Sequence, residues 1–203
     1  MNSEGTFRLA FWLLLGLTML MRIWFAIRVR RAGGRLLPDR AAIRREGWIY
    51  AIRLFVVLLL IALIVLLALN PLWRPKLDFP LPFRLRWAGV ALGLASLGLW
   101  TWTHIALGTL WSAQLQLRAN HQLVTSGPYS RIRHPMYAAI LAWAMSLGFV
   151  IANWIPIIFA VSAAVIFVAR IPREEQMMLE RFGDEYRKYM KRTGRFLPKW
   201  HPP

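Results

Sequence analysis

Apolar residues run through the chain in five long stretches, Leu9–Ile27, Trp48–Leu69, Trp87–Gly108, Met136–Ala152 and Ile155–Val168. Breaker residues mark two of the connections between them: Gly33–Gly34 and Pro38 in one, and Pro71, Pro75, Pro80 and Pro82 in the next. At 1.5 Å per residue the first three stretches can cross a hydrocarbon core of about 30 Å, whereas the last two, at about 17 and 14 residues, are short. They read as a tight helical hairpin turning at Asn153–Trp154, with Pro156 near the start of its second arm. The pattern predicts an all-α, polytopic integral membrane protein of about five transmembrane helices, the last two a short hairpin. A C-terminal helix on the cytoplasmic face follows. Residues 1–110 hold the first three helices, and 111–203 hold the polar segments that carry chemistry.

Composition supports the membrane assignment, with 58% hydrophobic residues and 11 tryptophans in 203 positions. The first span is expected to stay in the mature protein: it is too long for a signal-peptide core and runs into Arg28, Val29, Arg30 and Arg31 instead of a cleavage site. With no cysteine in the chain, disulfides, thiolate catalysis and Cys-ligated metal are excluded, and no metal site is expected.

Charge supplies an orientation. Nineteen Lys and Arg follow the first, third and last spans, against five beside the N-terminus and in the second connection. The positive-inside rule then places the N-terminus outside and the C-terminus in the cytoplasm. Arg22 and Arg53 fall inside apolar spans, within about two turns of the inner end, where snorkelling to the interface is expected. The net charge of +17 suits an anionic inner leaflet, and no nucleic-acid recognition module accompanies it.

Two polar segments remain. In GPYSRIRHPMY, Gly127–Tyr137, a tight-turn dipeptide, two arginines, His134 set against Pro135, and two tyrosines stand where a loop enters the membrane. Polar groups near hydrocarbon are costly unless satisfied, so the cluster suggests a binding site. The second segment begins at Arg170 with RIPREE. Met178, Phe182, Tyr186 and Tyr189 then form an apolar stripe at helical spacing, which reads as packing. Five of the nine acidic residues lie from Glu174 to Glu185, and Glu174 and Glu175 are nearest the bilayer. They can charge a helix N-terminus and pair with Arg170 or Arg173, or one of them can answer a cationic ligand.

HQLVTSGPY at His121–Tyr129, RHPMY at Arg133–Tyr137 and REEQMMLERFGDEYRKYMKRTGRFLP at Arg173–Pro198 together resemble the isoprenylcysteine carboxyl methyltransferases and their relatives the phospholipid methyltransferases. The likeness covers about Trp111 to Pro198, and Ala139 stands where that family usually has glycine. It makes 111–203 a methyltransferase core and implies S-adenosylmethionine (SAM) as cofactor. By position, it implies that SAM is held by Gln114, by His121, Gln122, Leu123 and Val124, by Tyr129, by His134, Pro135, Met136 and Tyr137, and by Glu174. Arg170, four residues before Glu174, is implied to face the substrate.

The residue types agree with this implication. SAM needs a carboxylate for its ammonium, donors for its acid, and aromatic or apolar walls. Glu174, His134 with Arg133, and Tyr129 with Tyr137 are groups of these kinds. A carboxylate acceptor needs no general base, and Arg170 would align it; an amine acceptor would need one, with Glu175 or His134 as the candidate. The expected substrate is lipophilic, most readily an isoprenylcysteine-like or other hydrophobic acid, reached from membrane lipid. The alternatives are phospholipid amine methylation, an NADPH-dependent reductase resembling the sterol reductases, and a non-catalytic protein that binds anionic lipid. The Arg-, Leu- and Ala-rich style suggests a prokaryotic inner membrane.

Overall fold

The computed structural model describes residues 3–32, 44, 47–69, 76–108 and 123–199. Among them run five long helices: α1 Ser3–Arg31, α2 Trp48–Leu69, α3 Phe83–Leu107, α4 Pro135–Ile151 and α5 Trp154–Arg192. A 3-10 turn at Gly127–Ser130 precedes α4. The first four helices contain the predicted apolar stretches almost residue for residue. α1, α3 and α5 are long and apolar enough to cross a membrane.

The fifth element differs from its predicted form. Instead of ending at Val168, the apolar arm of α5 continues through Arg170 and both glutamates as far as Phe182, and the separate C-terminal helix begins only after Gly183. Pro172 lies inside it, where it removes one backbone bond, the one that would reach the carbonyl of Val168. The true break falls at Gly183, whose φ of 51° only glycine adopts freely. The apolar stripe packs as expected: Tyr186 and Tyr189 are buried, and Met178 and Phe182 are half-buried.

α3 and α4 approach closely because two glycines let them. A Cβ built on Gly89 would stand 2.8 Å from the Cβ of Phe149 and 3.1 Å from the amide of Val150. One built on Gly93 would stand 2.9 Å from both Leu14 Cδ1 and Ser146 Oγ. The spacing is that of a GxxxG motif, the small-residue seam by which membrane helices pack without a hydrophobic driving force. Around it Phe7, Phe11, Leu14, Trp100, Ala139, Trp143 and Val150 form the core. Ala139, where the resembling family has glycine, is fully buried in that core. Ile158, Val161, Val165 and Val168 on α5 face outward, as lipid-facing residues do.

The α4–α5 turn is held at one end of the bundle. Ala152 is left-handed, and Asn153 caps α5 by accepting from the amide of Ile155 at 2.9 Å. The Asn153 amide also donates to Asp78 at 2.8 Å, and the amides of Phe79 and Trp154 bond across to Ala152 and Leu77. Arg86, counted with the loop charges in the sequence, is buried here. It donates from Nε to the Val150 carbonyl at 3.0 Å, pairs with Glu4, and lies over the Phe7 ring. It thus satisfies the C-terminal end of α4. Arg22, unlike Arg86, stays exposed, with its guanidinium 5.8 Å from the Trp100 ring centroid. The side chain of Arg53 lies outside the described residues.

Candidate active site

At the opposite end of the bundle, three segments that are distant in sequence meet. The first is the loop that opens α4. Gly127 has φ +58°, and a Cβ there would press to 3.2 Å on the Trp102 indole nitrogen, so this turn needs glycine. Pro135 then occupies the first turn of α4, where its missing N–H costs nothing. The second segment is α5 from Phe167 to Glu175. The third is the tail just past α5, Thr193–Phe196, which returns to pair with the loop: Arg133 N donates to Gly194 O at 2.8 Å, His134 N to Arg195 O at 3.0 Å, and Gly194 N to Arg131 O at 3.1 Å.

Side chains divide between two faces. On one, the rings of His134, Tyr137 and Phe167 form a stack. His134 and Tyr137 lie 5.5 Å apart at 4°, and Tyr137 and Phe167 lie 4.2 Å apart at 12°. Tyr137 Oη donates to Glu174 at 2.7 Å, and Arg170 Nε lies 3.9 Å from the same carboxylate oxygen. The Glu174 side chain keeps 35% of its surface exposed, so a ligand can reach it.

On the other face Glu175 is buried among donors. Arg133 Nε reaches it at 3.0 Å, Arg195 Nη2 at 3.0 Å and His134 Nε2 at 3.4 Å. Glu175 lies past the apolar stretch of α5. Burial alone would raise its carboxyl, but the bonds from His134, Arg133 and Arg195 outweigh that and hold it well below the usual carboxylate range. Arg133 is also bound to the carbonyls of Met190 and Thr193 and, at 3.3 Å, to the Thr193 hydroxyl.

Of the residues singled out in the sequence, His134, Tyr137, Arg170 and Glu174 come together in one site. Arg133 and Glu175 join it from behind, tied to the tail. Tyr129 contributes its carbonyl to a 2.7 Å bond from Tyr189 Oη. Pro135 and Met136 begin α4, Leu123 and Val124 are half-buried ahead of the turn, and Gln114, His121 and Gln122 lie outside the described residues. Among the described residues, no group of three or more His, Asp or Glu could hold a metal.

Four contributors carry no signal of their own in the sequence, Phe167, Thr193, Arg195 and Phe196, whose ring lies 6.4 Å from His134, while Tyr189 reads there only as packing. Phe167 was legible in principle, since it precedes Arg170 by three residues and Glu174 by seven and so shares their helix face. The tail contacts use mostly backbone, which leaves no pattern of residue types.

Residues 90–180 match the model of the isoprenylcysteine carboxyl methyltransferase (ICMT) family. The cobalt-zinc-cadmium resistance protein CzcN of Cupriavidus metallidurans is 33% identical over 135 residues, covering 63% of this chain and 62% of that protein. Protein-S-isoprenylcysteine O-methyltransferase B of Arabidopsis thaliana is 35% identical over 86 residues, covering 42% of this chain and 44% of that protein. A solved structure of the eukaryotic intramembrane Ras methyltransferase ICMT superposes with a TM-score of 0.52 at 25% identity, covering 57% of this chain and 42% of the other. The chain therefore spans less than two thirds of the length of each of these relatives.

Proposed function

We propose, for a chain whose residues 90–180 match the model of the ICMT family, that the protein is a SAM-dependent methyltransferase acting at the membrane interface on a lipophilic acid, with isoprenylcysteine-like carboxylates as the first candidates. The observation that carries this reading is the convergence of Glu174, Tyr137 and Arg170 beside the His134–Tyr137–Phe167 stack.

The donor set fits SAM. Glu174, the reachable carboxylate of the pair, takes the ammonium, and Tyr137 fixes its orientation. The ring stack provides a flat wall for an aromatic or sulfonium-bearing ligand. When bound, SAM supplies a methyl group on a positively charged sulfur. The chain itself then needs to bring a nucleophile into line and exclude water. Arg170, buried at the end of the apolar stretch, aligns the acceptor carboxylate. Arg133, spent on Glu175 and the tail, shapes the loop.

The state of Glu175 bears on the choice of acceptor. An amine acceptor must lose a proton; Glu175, held by three donors, is a poor base, and His134 has its Nε2 turned to Glu175 at 3.4 Å, whereas a carboxylate acceptor needs no base. This favours carboxyl over amine methylation. Calorimetric titration of the purified protein in detergent with SAM, with NADPH as control, tests the cofactor; SAM silent and NADPH binding would overturn the reading. Labelled methyl transfer to a panel of lipid-soluble acids, amines and thiols identifies the acceptor.

Arg170→Lys separates alignment from anchoring. A lysine still anchors a helix at an interface but cannot hold a carboxylate through two parallel bonds. SAM affinity should stay near wild type, while transfer to an acid falls tenfold or more, about 1.4 kcal/mol of transition-state stabilisation. Wild-type turnover in this variant would assign Arg170 to anchoring alone.

We propose a prokaryotic inner membrane from the Arg-, Leu- and Ala-rich composition, and a cytoplasmic site from the basic asymmetry. Reporter fusions at Glu4 and His201 should report opposite sides. The same side for both would refute five crossings.

A further inference from the structure

We propose that the segment just past α5, Thr193–Phe196, is a latch on the loop that opens α4, and that Arg195 is a positioning residue acting through Glu175. The inference rests on the methyltransferase reading for its functional arm and on geometry for the rest. Three backbone bonds join the tail to Arg131, Arg133 and His134. Arg133 closes the same seam from its side chain through Met190 O, Thr193 O and Thr193 Oγ1. The pairing leaves no room for variation at Gly194, where a Cβ would run into the carbonyl of Leu197.

The seam has one electrostatic weak point. Glu175 is buried, and of the groups facing it Arg133 and His134 come from the α4 loop while Arg195 alone comes from the tail. A buried carboxylate is tolerated only when its lone pairs are answered. Without Arg195 its Oε2 loses the guanidinium that now bonds it at 3.0 Å, and Arg133 and His134 become its remaining partners. They are the residues whose backbone amides the tail holds, so a shift of either towards Glu175 strains the latch. His134 is also the end ring of the stack beside Glu174. The Arg195 carbonyl accepts from the His134 amide at 3.0 Å, while its half-exposed guanidinium acts on the site through this carboxylate.

The test uses the full-length protein in detergent and compares wild type with Arg195→Ala and Arg195→Lys. Amide exchange measured by mass spectrometry should rise at least tenfold for the peptide spanning 131–137 in the Ala variant, with peptides of α1 and α3 unchanged. In the same variant the KM for SAM should rise about tenfold while kcat at saturating SAM falls less than threefold. Lysine, which restores a cation to Glu175, should bring both readouts back to within threefold of wild type. Unchanged exchange across 131–137 in the Ala variant overturns the latch. Exchange that rises with no change in KM, or a loss of kcat that lysine does not rescue, overturns the positioning role. Should the wild type bind no SAM, the methyltransferase reading fails and the exchange arm still decides the latch.

Discussion

Leucine at Gly89 should leave almost no folded protein in detergent extracts. The obstacle at that position is rigid: the Phe149 Cβ and the Val150 backbone amide, at 2.8 and 3.1 Å from where a Cβ would sit. No side-chain rotation relieves a clash with backbone. Overpacking a filled core costs about 1–3 kcal/mol when side chains can adjust, and more when they cannot. Here α3 would have to move off α4, which also withdraws Arg86 from the Val150 carbonyl. The control is Gly98, on the same helix, where an added Cβ meets nothing within 4 Å. Gly98→Leu should extract and melt like the wild type. Equal losses at both positions would show that leucine harms the helix itself and that the seam is not the cause.

A second large effect is expected at Glu174. Glutamine keeps the shape and can still accept from Tyr137, but it removes the charge that the proposed ammonium contact requires. A hydrogen bond to a charged group contributes about 1.5–3 kcal/mol, so Glu174→Gln should weaken SAM binding roughly tenfold to 150-fold with the fold intact. Tyr137→Phe removes only the 2.7 Å bond that orients the carboxylate. It should weaken SAM binding less, by about 0.5–1.5 kcal/mol. Calorimetry on both variants, after melting curves establish folding, checks the order. Undiminished affinity in the glutamine variant would remove Glu174 from the cofactor site.

The parts of this molecule that were legible in its sequence are those that solvent preference writes into residue type. Apolar length located the helices, and the Asn153 turn announced itself through a break in hydrophobicity. His134, Tyr137, Arg170 and Glu174 stood out because polar and aromatic groups at a membrane boundary need a reason to be there. The resemblance to a known family then joined two segments that spacing alone could not bring together.

What the sequence hid follows from the same logic. α5 looked interrupted because Pro172 and a run of charges mark the point where it leaves the apolar layer, yet a proline removes a single backbone bond. The Gly89–Gly93 spacing was present in the letters but is weak evidence until a partner helix is known. Arg86 carried the same letter as the loop arginines, and only the fold reveals that it closes the end of α4. The three backbone bonds that seat the tail run through main-chain groups that every residue possesses.

The continuous course of α5 from Asn153 past Arg170 has a consequence for the membrane around it. From its cap at Asn153 to Arg170 the helix runs 17 residues, or about 25 Å. The helix thus behaves as a depth gauge, setting Arg170 one fixed length along the rod from its cap at Asn153. A bilayer with longer or shorter acyl chains cannot stretch this rod and must tilt it or deform around it, at fractions of a kcal/mol for each ångström of mismatch. Reconstituted into lipids of graded chain length, the protein should show the proposed methyl transfer best at one thickness, where the proposed acceptor floats level with Arg170.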